Sequence, residues 1–260
     1  MKKPKIIAVI PAHLASVRFP RKILFPFFSI PMIEHVRRRA LLSSNVSEVL
    51  VATCDHEIAS VVDSFGGNVI LTGDHHRNGT TRVAEAIANY DCSHVILLQG
   101  DEPLLKPTYI DDVITAIGKN PNSDAWNATG PLERLDDLDR HSFVKCAIAP
   151  DQRVLYCFRR SPSCASFEQQ QNYIRKILGI IAFRRGFLDK LVKLLPARTE
   201  QLEQIEQMRI IENGYTMHSV PFRESLPSVN EPEEAEIVIE YIKKNPEQQR
   251  LLETTTGVKI

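Results

Sequence analysis

The stretch Ile6-Ile7-Ala8-Val9-Ile10-Pro11-Ala12-His13-Leu14-Ala15-Ser16-Val17-Arg18-Phe19-Pro20-Arg21-Lys22 decides the fold. Its first five residues form an apolar, mostly β-branched run of strand length, and the remainder is a polar, cationic loop. A buried strand that opens directly into such a loop is how an α/β sheet presents a ligand crevice at the carboxyl ends of its strands. Arg18, Arg21 and Lys22 can neutralise polyphosphate oxygens, while Ser16 and nearby backbone N–H groups add short-range donors. The loop lacks both G-x-x-x-x-G-K-[ST] and G-x-G-x-x-G, which sets aside Walker-type ATPases and dinucleotide dehydrogenases. A basic loop can also be plain solvated surface; its position after the first strand is what favours a phosphate site.

Outward from this stretch, short apolar runs alternate with helical patterns. Strands are predicted over residues 5–10, 48–53, 68–72, 94–99 and 125–129, and helices over 32–42, 56–65, 81–90 and 109–119. That order predicts an α/β fold with a doubly wound, mostly parallel sheet and right-handed crossovers. From Phe143 the rhythm changes to strands over 143–149 and 153–158 around an Asp-Gln turn, a polar stretch over 161–172 and a strand over 174–183. Residues from about 130 to 185 therefore read as a small insertion that borders the crevice or makes a dimer contact. Helices over 186–195 and 199–212, with Gly214 as a cap, a strand over 216–221 and a helix over 231–244 complete a domain spanning 1–245. Residues 246–260 read as a polar tail that frays, and Arg37-Arg38-Arg39 as a solvated helix face.

The 260 residues are ample for one large α/β domain, and the 32 basic and 32 acidic side chains cancel. A balanced surface argues against a nucleic-acid coat and for a local cationic site. Cys54, Cys92, Cys146, Cys157 and Cys164 are odd in number and form no C-x-x-C pair, which points to free thiols and a reducing compartment. No apolar stretch approaches the roughly 18 residues of a spanning helix, so membrane insertion is not expected and the cytoplasm is.

Two further motifs carry chemistry. In Val95-Ile96-Leu97-Leu98-Gln99-Gly100-Asp101-Glu102-Pro103, an apolar strand ends at Gly100, where a missing Cβ admits a close neighbour, and then presents Asp101 at the strand's carboxyl edge. Magnesium takes hard oxygen ligands, commonly one or two carboxylates plus substrate phosphates, and Asp101 is the candidate metal ligand. The second motif, His76-Arg77-Asn78-Gly79-Thr80-Thr81-Arg82, is an Asn-Gly turn feeding a helix. Thr80 or Thr81 can cap that helix, and the free N–H groups at the same end can equally hold a base or an anion.

In this order I-P-A-x-x-A-S-x-R-x-P-x-K, V-A-T-x-D at residues 51–55, N-G-T-x-R and Q-G-D-E-P resemble the cytidylyltransferases that activate 3-deoxy-manno-octulosonate (Kdo), the CMP-Kdo synthetases. The similarity continues through Val144-Lys145, Leu155-Tyr156 with Arg159, Leu178-Gly179-Ile180, Glu206-Gln207-Met208-Arg209 and Pro232-Glu233, over roughly residues 5 to 240. The resemblance implies a nucleotidyltransferase fold with a dimerising insertion, a homodimer, and a place in lipopolysaccharide biosynthesis. It also implies attack of a sugar-acid hydroxyl on the α-phosphorus of CTP, with Mg²⁺ as cofactor and pyrophosphate as the second product. It assigns Pro11, Ala12, His13, Ser16, Lys22, Asn78, Gly79 and Thr80 to the nucleotide. Arg18, Gln99, Arg159, Ile177, Glu206 and Gln207 go to the sugar, Asp101 and Asn230 to the metal, and Arg18, Lys22 and Asp101 to catalysis. Such chemistry needs positioning and charge neutralisation more than a covalent nucleophile.

Five positions depart from the family pattern. His13 replaces an arginine, Arg21 a glycine and Ile177 a histidine, while His141-Ser142-Phe143-Val144-Lys145 replaces N-P-N-x-V-K. Asn230 stands where the family has an aspartate, a second metal ligand. These changes leave three readings open: a CMP-Kdo synthetase, an enzyme of the same chemistry acting on an altered acid sugar, or a non-catalytic nucleotide-binding homologue. A glycosyltransferase is disfavoured, because Q-G-D-E-P lacks D-x-D spacing.

Overall fold

A computed structural model describes residues 4–259 of the chain. The chain divides into two units, one built from residues up to Asp111 and from Leu226 onward, the other from Asp112–Ser225. The segment expected as an insertion, about 130 to 185, falls within the second.

The first unit begins with β1 (Ile6–Ala12), followed by the short hairpin of β2 (Pro26–Phe27) and β3 (Ile30–Pro31) and by α1 (Met32–Ala40). Then come β4 (Glu48–Thr53), α2 (His56–Ser64), β5 (Asn68–Leu71), α3 (Gly79–Ala86) and β6 (His94–Leu98), after which α4 (Pro107–Lys119) carries the chain into the second unit. Here the four main strands lie side by side in the order β6-β1-β4-β5, all parallel. Ala12 pairs with Thr53 and Thr53 with Leu71, so the strands end level with one another. Ile6 to Ile10 and Val95 to Leu98 are buried without a polar alternation, as strands covered on both faces must be. The loops leaving Ala12, Thr53 and Leu98 therefore emerge along one edge.

The second unit contains β7 (Ala125–Gly130), β8 (Lys145–Ile148), β9 (Val154–Phe158), α5 (Phe167–Gln170), β10 (Ile174–Arg184), α6 (Arg185–Leu191), α7 (Arg198–Glu203), α8 (Gln207–Glu212) and β11 (Met217–Pro221). Its strands run β11-β7-β10-β8-β9; β11 and β7 are parallel and the remaining pairs antiparallel. Leu132, Leu138, Phe158 and Ile174 form a core beneath this meander. The long strand β10 shifts register against β7 between Ile177 and Ile181. Buried Asn127 holds the irregularity by donating Nδ2–H to the Leu178 and Ile180 carbonyls, at 3.1 and 3.2 Å.

Three sequence expectations are corrected. The helix expected over 199–212 is two helices, because Gln204 adopts a left-handed conformation at φ 55° and Arg159 donates to the Glu203 and Gln204 carbonyls there. The arginine triplet is not a solvated face: Arg37 and Arg39 are buried and Arg38 is half-buried. Arg37 and Arg38 share the buried Glu34 carboxylate, and Arg39 donates to Gln248 Oε1 at 2.6 Å and to the Leu105 carbonyl.

Gln248 lies in the third correction. After α9 (Pro232–Lys244), the expected fraying tail is a helix, α10 (Pro246–Thr256). Asn245 Oδ1 accepts from the Glu247 and Gln248 N–H groups to cap its start, and Gly257 at φ 76° closes its end. Leu252 is fully buried, and Gln248 donates to the Leu104 carbonyl while accepting from Arg39. Among the polar residues of this segment, the buried Gln248 amide pairs with an arginine and a carbonyl, which composition alone misreads as solvent exposure.

Candidate active site

At the carboxyl ends of β1, β4 and β6 the first unit carries a cleft of about 520 Å³, within the usual range of small-molecule sites. Of the residues assigned from the sequence, Pro11, His13, Ser16, Lys22, Asn78, Gly79, Gln99 and Asp101 line it. The stretch that decided the fold thus supplies one wall, the helix start at Asn78 a second, and the end of β6 a third.

The centre of charge is the pair Lys22 and Asp101. Lys22 Nζ donates to Asp101 Oδ2 at 2.7 Å and to the Val229 carbonyl at 3.1 Å, with the two side chains 17% and 23% exposed. Val229 N–H in turn donates to the Asp101 carbonyl at 3.0 Å. A segment more than a hundred residues away in sequence is thereby tied to the end of β6. Gly100 is where the close approach occurs, and the neighbour is the Ile23 side chain, into which any Cβ at this position would drive.

Arg18 follows a different course from Lys22. It does not line the cleft; its guanidinium donates to Asn230 Oδ1 at 3.3 Å and to Glu231 Oε1 at 3.4 Å. Arg21 leaves the site altogether, forming a two-pronged ion pair with Glu57 of α2. It does so from a left-handed backbone at φ 61°, the conformation that makes glycine the usual residue at such a turn. The expected convergence of three cations therefore reduces to Lys22 in the cleft and Arg18 beside Asn230.

Loop shape comes from Asp55 and Asn78, neither of which the sequence reading gave this part. Asp55, just beyond β4, accepts the Leu14 N–H on Oδ2 at 2.9 Å and so fastens the loop that follows β1. Asn78, rather than either threonine, caps α3: its Oδ1 accepts the Thr81 N–H and the Thr81 hydroxyl, both at 2.9 Å. Thr80 is half-buried and Ala12 buried, and neither lies on the cleft wall. Arg82, buried one turn into α3, donates to Thr72 Oγ1 at 2.6 Å and to the Gly73 carbonyl at 3.3 Å while facing the cleft. Asp74, His76 and Arg77 complete the rim. The signal for Asp55 and Arg82 was their place in the V-A-T-x-D and N-G-T-x-R runs, where each follows a strand end or a helix start.

His13 is held below the ordinary histidine range, first by desolvation of its ring in the cleft and then by Arg82 and Lys22, against the opposing pull of Asp55 and Asp101. The ring is thereby biased towards its neutral form. Asp101 offers a hard carboxylate oxygen of the kind magnesium takes, with Oδ2 engaged by Lys22. Asn230 offers only an amide oxygen, already turned towards Arg18.

The other residues that the resemblance gives to the sugar lie in the second unit. Arg159 uses its guanidinium on three carbonyls, of His141, Glu203 and Gln204, at 2.9 to 3.1 Å. Gln207 donates to Asn127 Oδ1 at 3.1 Å, and Glu206 is exposed. Ile177 is half-buried on β10 at the start of the irregularity, its N–H donating to the Val144 carbonyl at 2.8 Å. The adjoining Lys145 is fully buried and donates to the carbonyls of Arg140, Phe143 and Arg159. Burial first, and Arg159 second, bring its pKa down to about 8.

Comparison with known proteins bears on the same features. A 3-deoxy-manno-octulosonate cytidylyltransferase of Geotalea uraniireducens (strain Rf4) is 35% identical over 252 residues, covering 92% of this chain and 100% of its own. An 8-amino-3,8-dideoxy-manno-octulosonate cytidylyltransferase of Shewanella frigidimarina (strain NCIMB 400) is 35% identical over 235 residues, covering 88% and 95%. Among solved structures, a CMP:2-keto-3-deoxy-manno-octonic acid synthetase complexed with CTP matches with a TM-score of 0.86 at 31% identity, over 92% of this chain and 99% of that one. The cytidylyltransferase family pattern matches residues 7–224, from β1 through the cleft and the whole meander of the second unit. A parallel sheet that ends in a polar cleft, and a sequence alike over nine-tenths of its length, have one explanation: the chain belongs to the cytidylyltransferase family and is an α/β nucleotidyltransferase.

Proposed function

We propose that this chain transfers CMP from CTP to Kdo or a closely related acid sugar and releases pyrophosphate. The observation that carries the reading is the cleft at the carboxyl edge of β1, β4 and β6, where Lys22 and Asp101 face each other between the loop after β1 and the capped start of α3. It supports a site for a triphosphate and its counter-ion. The relatives named above act, by their names, on Kdo and on its 8-amino analogue.

In the transfer, the acceptor hydroxyl oxygen forms a bond to the α-phosphorus of CTP, the bond from that phosphorus to the bridging oxygen breaks, and pyrophosphate leaves with the electron pair. The hydroxyl proton passes to solvent. Lys22 and Ser16, on the cleft wall, hold phosphate oxygens, and Arg18 of the same loop adds a further cation. Pro11, His13, Asn78 and Gly79, which line the cleft, take the nucleoside end, and Gln99 faces the sugar. Positioning and charge neutralisation are what this reaction asks of a protein. Magnesium, held by Asp101 with Asn230 as at most a neutral ligand, would neutralise phosphate charge when bound. We further propose a homodimer in the cytoplasm, a setting with which five free cysteines accord.

Pyrophosphate release from CTP and Mg²⁺, measured with Kdo and with its 8-amino analogue, tests the proposal. Turnover with either supports it, and the ratio of kcat/KM names the acceptor. No release with any acid sugar, while CTP still binds, would overturn it in favour of a nucleotide-binding homologue without transfer activity.

A further inference from the structure

Between β5 and α3 the chain carries a set of metal-capable side chains that nucleotide transfer leaves unused. His75 and His76 are consecutive in the loop, and Glu85 stands on α3. Among the described residues, these three form a group whose ligating atoms all lie within 4.8 Å of one another. His76 Nε2 and Glu85 Oε2 are hydrogen-bonded, and His75 Nε2 lies 4.0 Å from the same oxygen. The two imidazole rings are 4.2 Å apart between centroids and tilted by 37°.

The surroundings are those of a prepared site. Glu85 Oε1 accepts the Gly73 N–H at 3.0 Å, so the carboxylate is oriented from behind by the loop it faces, as outer contacts orient metal ligands. The His75 ring lies against Gly73 so closely that any Cβ there would collide with it. A His76–Glu85 hydrogen bond alone would explain two of the three residues, but not a second imidazole brought over the same oxygen. The His76 side chain is 6% exposed and that of His75 72% exposed, so one ligand is fixed and the other can swing.

Two imidazoles and a carboxylate suit zinc and its first-row neighbours, whereas magnesium prefers oxygen alone. Around a tetrahedral ion with bonds of about 2.0–2.1 Å, ligand atoms sit about 3.3 Å from one another. His75 then has to move inward from 4.0 Å, while His76 and Glu85 part to take the ion in place of the proton between them.

We propose that His75, His76 and Glu85 form a binding site for a zinc-class divalent transition metal, with water as the fourth ligand. Its residues are separate from Asp101 and Asn230. Because Asp74, His76, Arg77 and Asn78 line the cleft, the ion fastens the rim of the nucleotide site to α3. By linkage, metal affinity and CTP affinity then change each other by the same factor.

Untagged, chelator-treated protein is titrated with Zn²⁺ by calorimetry and with Co²⁺ by visible absorption. The expected result is one ion per chain, with the intense d–d bands of four-coordinate cobalt and no thiolate charge-transfer band. His75→Ala, at an exposed side chain off the cleft wall, weakens binding tenfold or more and leaves magnesium-supported turnover in zinc-free buffer unchanged. Glu85→Gln weakens it as well. The proposal is overturned by wild-type protein that takes up no stoichiometric zinc, or by a His75→Ala variant that binds zinc as the wild type does. A cobalt spectrum with a thiolate band overturns it too, since that puts the ion on Cys54 or Cys164.

Discussion

Replacing Lys22 by alanine removes a donor from two acceptors at once, Asp101 Oδ2 at 2.7 Å and the Val229 carbonyl at 3.1 Å. Both side chains of the ion pair are less than a quarter exposed, so solvent replaces the lost contacts only in part. Hydrogen bonds to charged groups are worth about 1.5–3 kcal/mol each. A lysine that turns from Asp101 to phosphate oxygens in the transition state should therefore contribute about 3–4 kcal/mol, and kcat/KM for CTP should fall roughly 10²- to 10³-fold in Lys22→Ala. The same change has an opposite effect on the ligand-free protein. Asp101 loses the ammonium that neutralises it, so a divalent cation no longer competes with an ion pair worth about 1 kcal/mol, and its Kd should drop roughly fivefold. Coupled pyrophosphate kinetics read the first quantity, and loss of the free Mn²⁺ resonance on titration reads the second. Lys22→Arg should recover part of the rate, since it restores charge but not the compact point contact. Turnover within threefold of wild type would refute the role of Lys22 on phosphate. Unchanged Mn²⁺ affinity would refute the competition at Asp101.

Asn230→Asp restores a carboxylate at the second metal position; the Mg²⁺ concentration for half-maximal activity should fall severalfold, and an unchanged requirement would mean this position does not reach the metal. Ile177→His should raise kcat/KM for Kdo tenfold or more, about 1.4 kcal/mol, if the apolar side chain leaves a sugar hydroxyl without a partner; equal efficiency in both proteins would refute an altered pocket. Lys145, with a folded pKa of about 8 against an ordinary 10.5, loses its proton in the folded state first. The unfolded chain then binds more protons between those values, so stability should rise from pH 8 to 10.5, and Lys145→Met should flatten that rise in urea titrations; parallel profiles would contradict the assignment. Leu252→Ala, at a fully buried side chain of α10, should lower unfolding stability by about 2–5 kcal/mol, whereas a fraying tail would show no change.

The parallel half of the fold was legible because its signals are local. Ile6 to Ile10 and Val95 to Leu98 are apolar throughout, since both faces of those strands are covered, and each run is followed by the residues that line the cleft. The place of Lys22 and Asp101 on the cleft wall could be read in the same way, from the loops that leave β1 and β6. The helix break at Gln204 and the burial of the arginine triplet could not. Arg159 donates to the former from forty-five residues away, and Gln248 accepts from Arg39 from two hundred and nine. Polar residues paired over such distances look in sequence like any solvated surface.

By itself, then, the chain order of apolar runs and turn residues determined that a parallel sheet forms and which loops leave its carboxyl edge, because backbone pairing and burial act through local periodicity. Only the tertiary structure decided which charges meet. It joined Lys22 to Asp101 and Val229, turned Arg18 to Asn230 and Arg21 to Glu57, and set His75 and His76 over Glu85. The physical reason is that charge pairing depends on side-chain reach of a few ångströms across chain segments that sequence order does not relate.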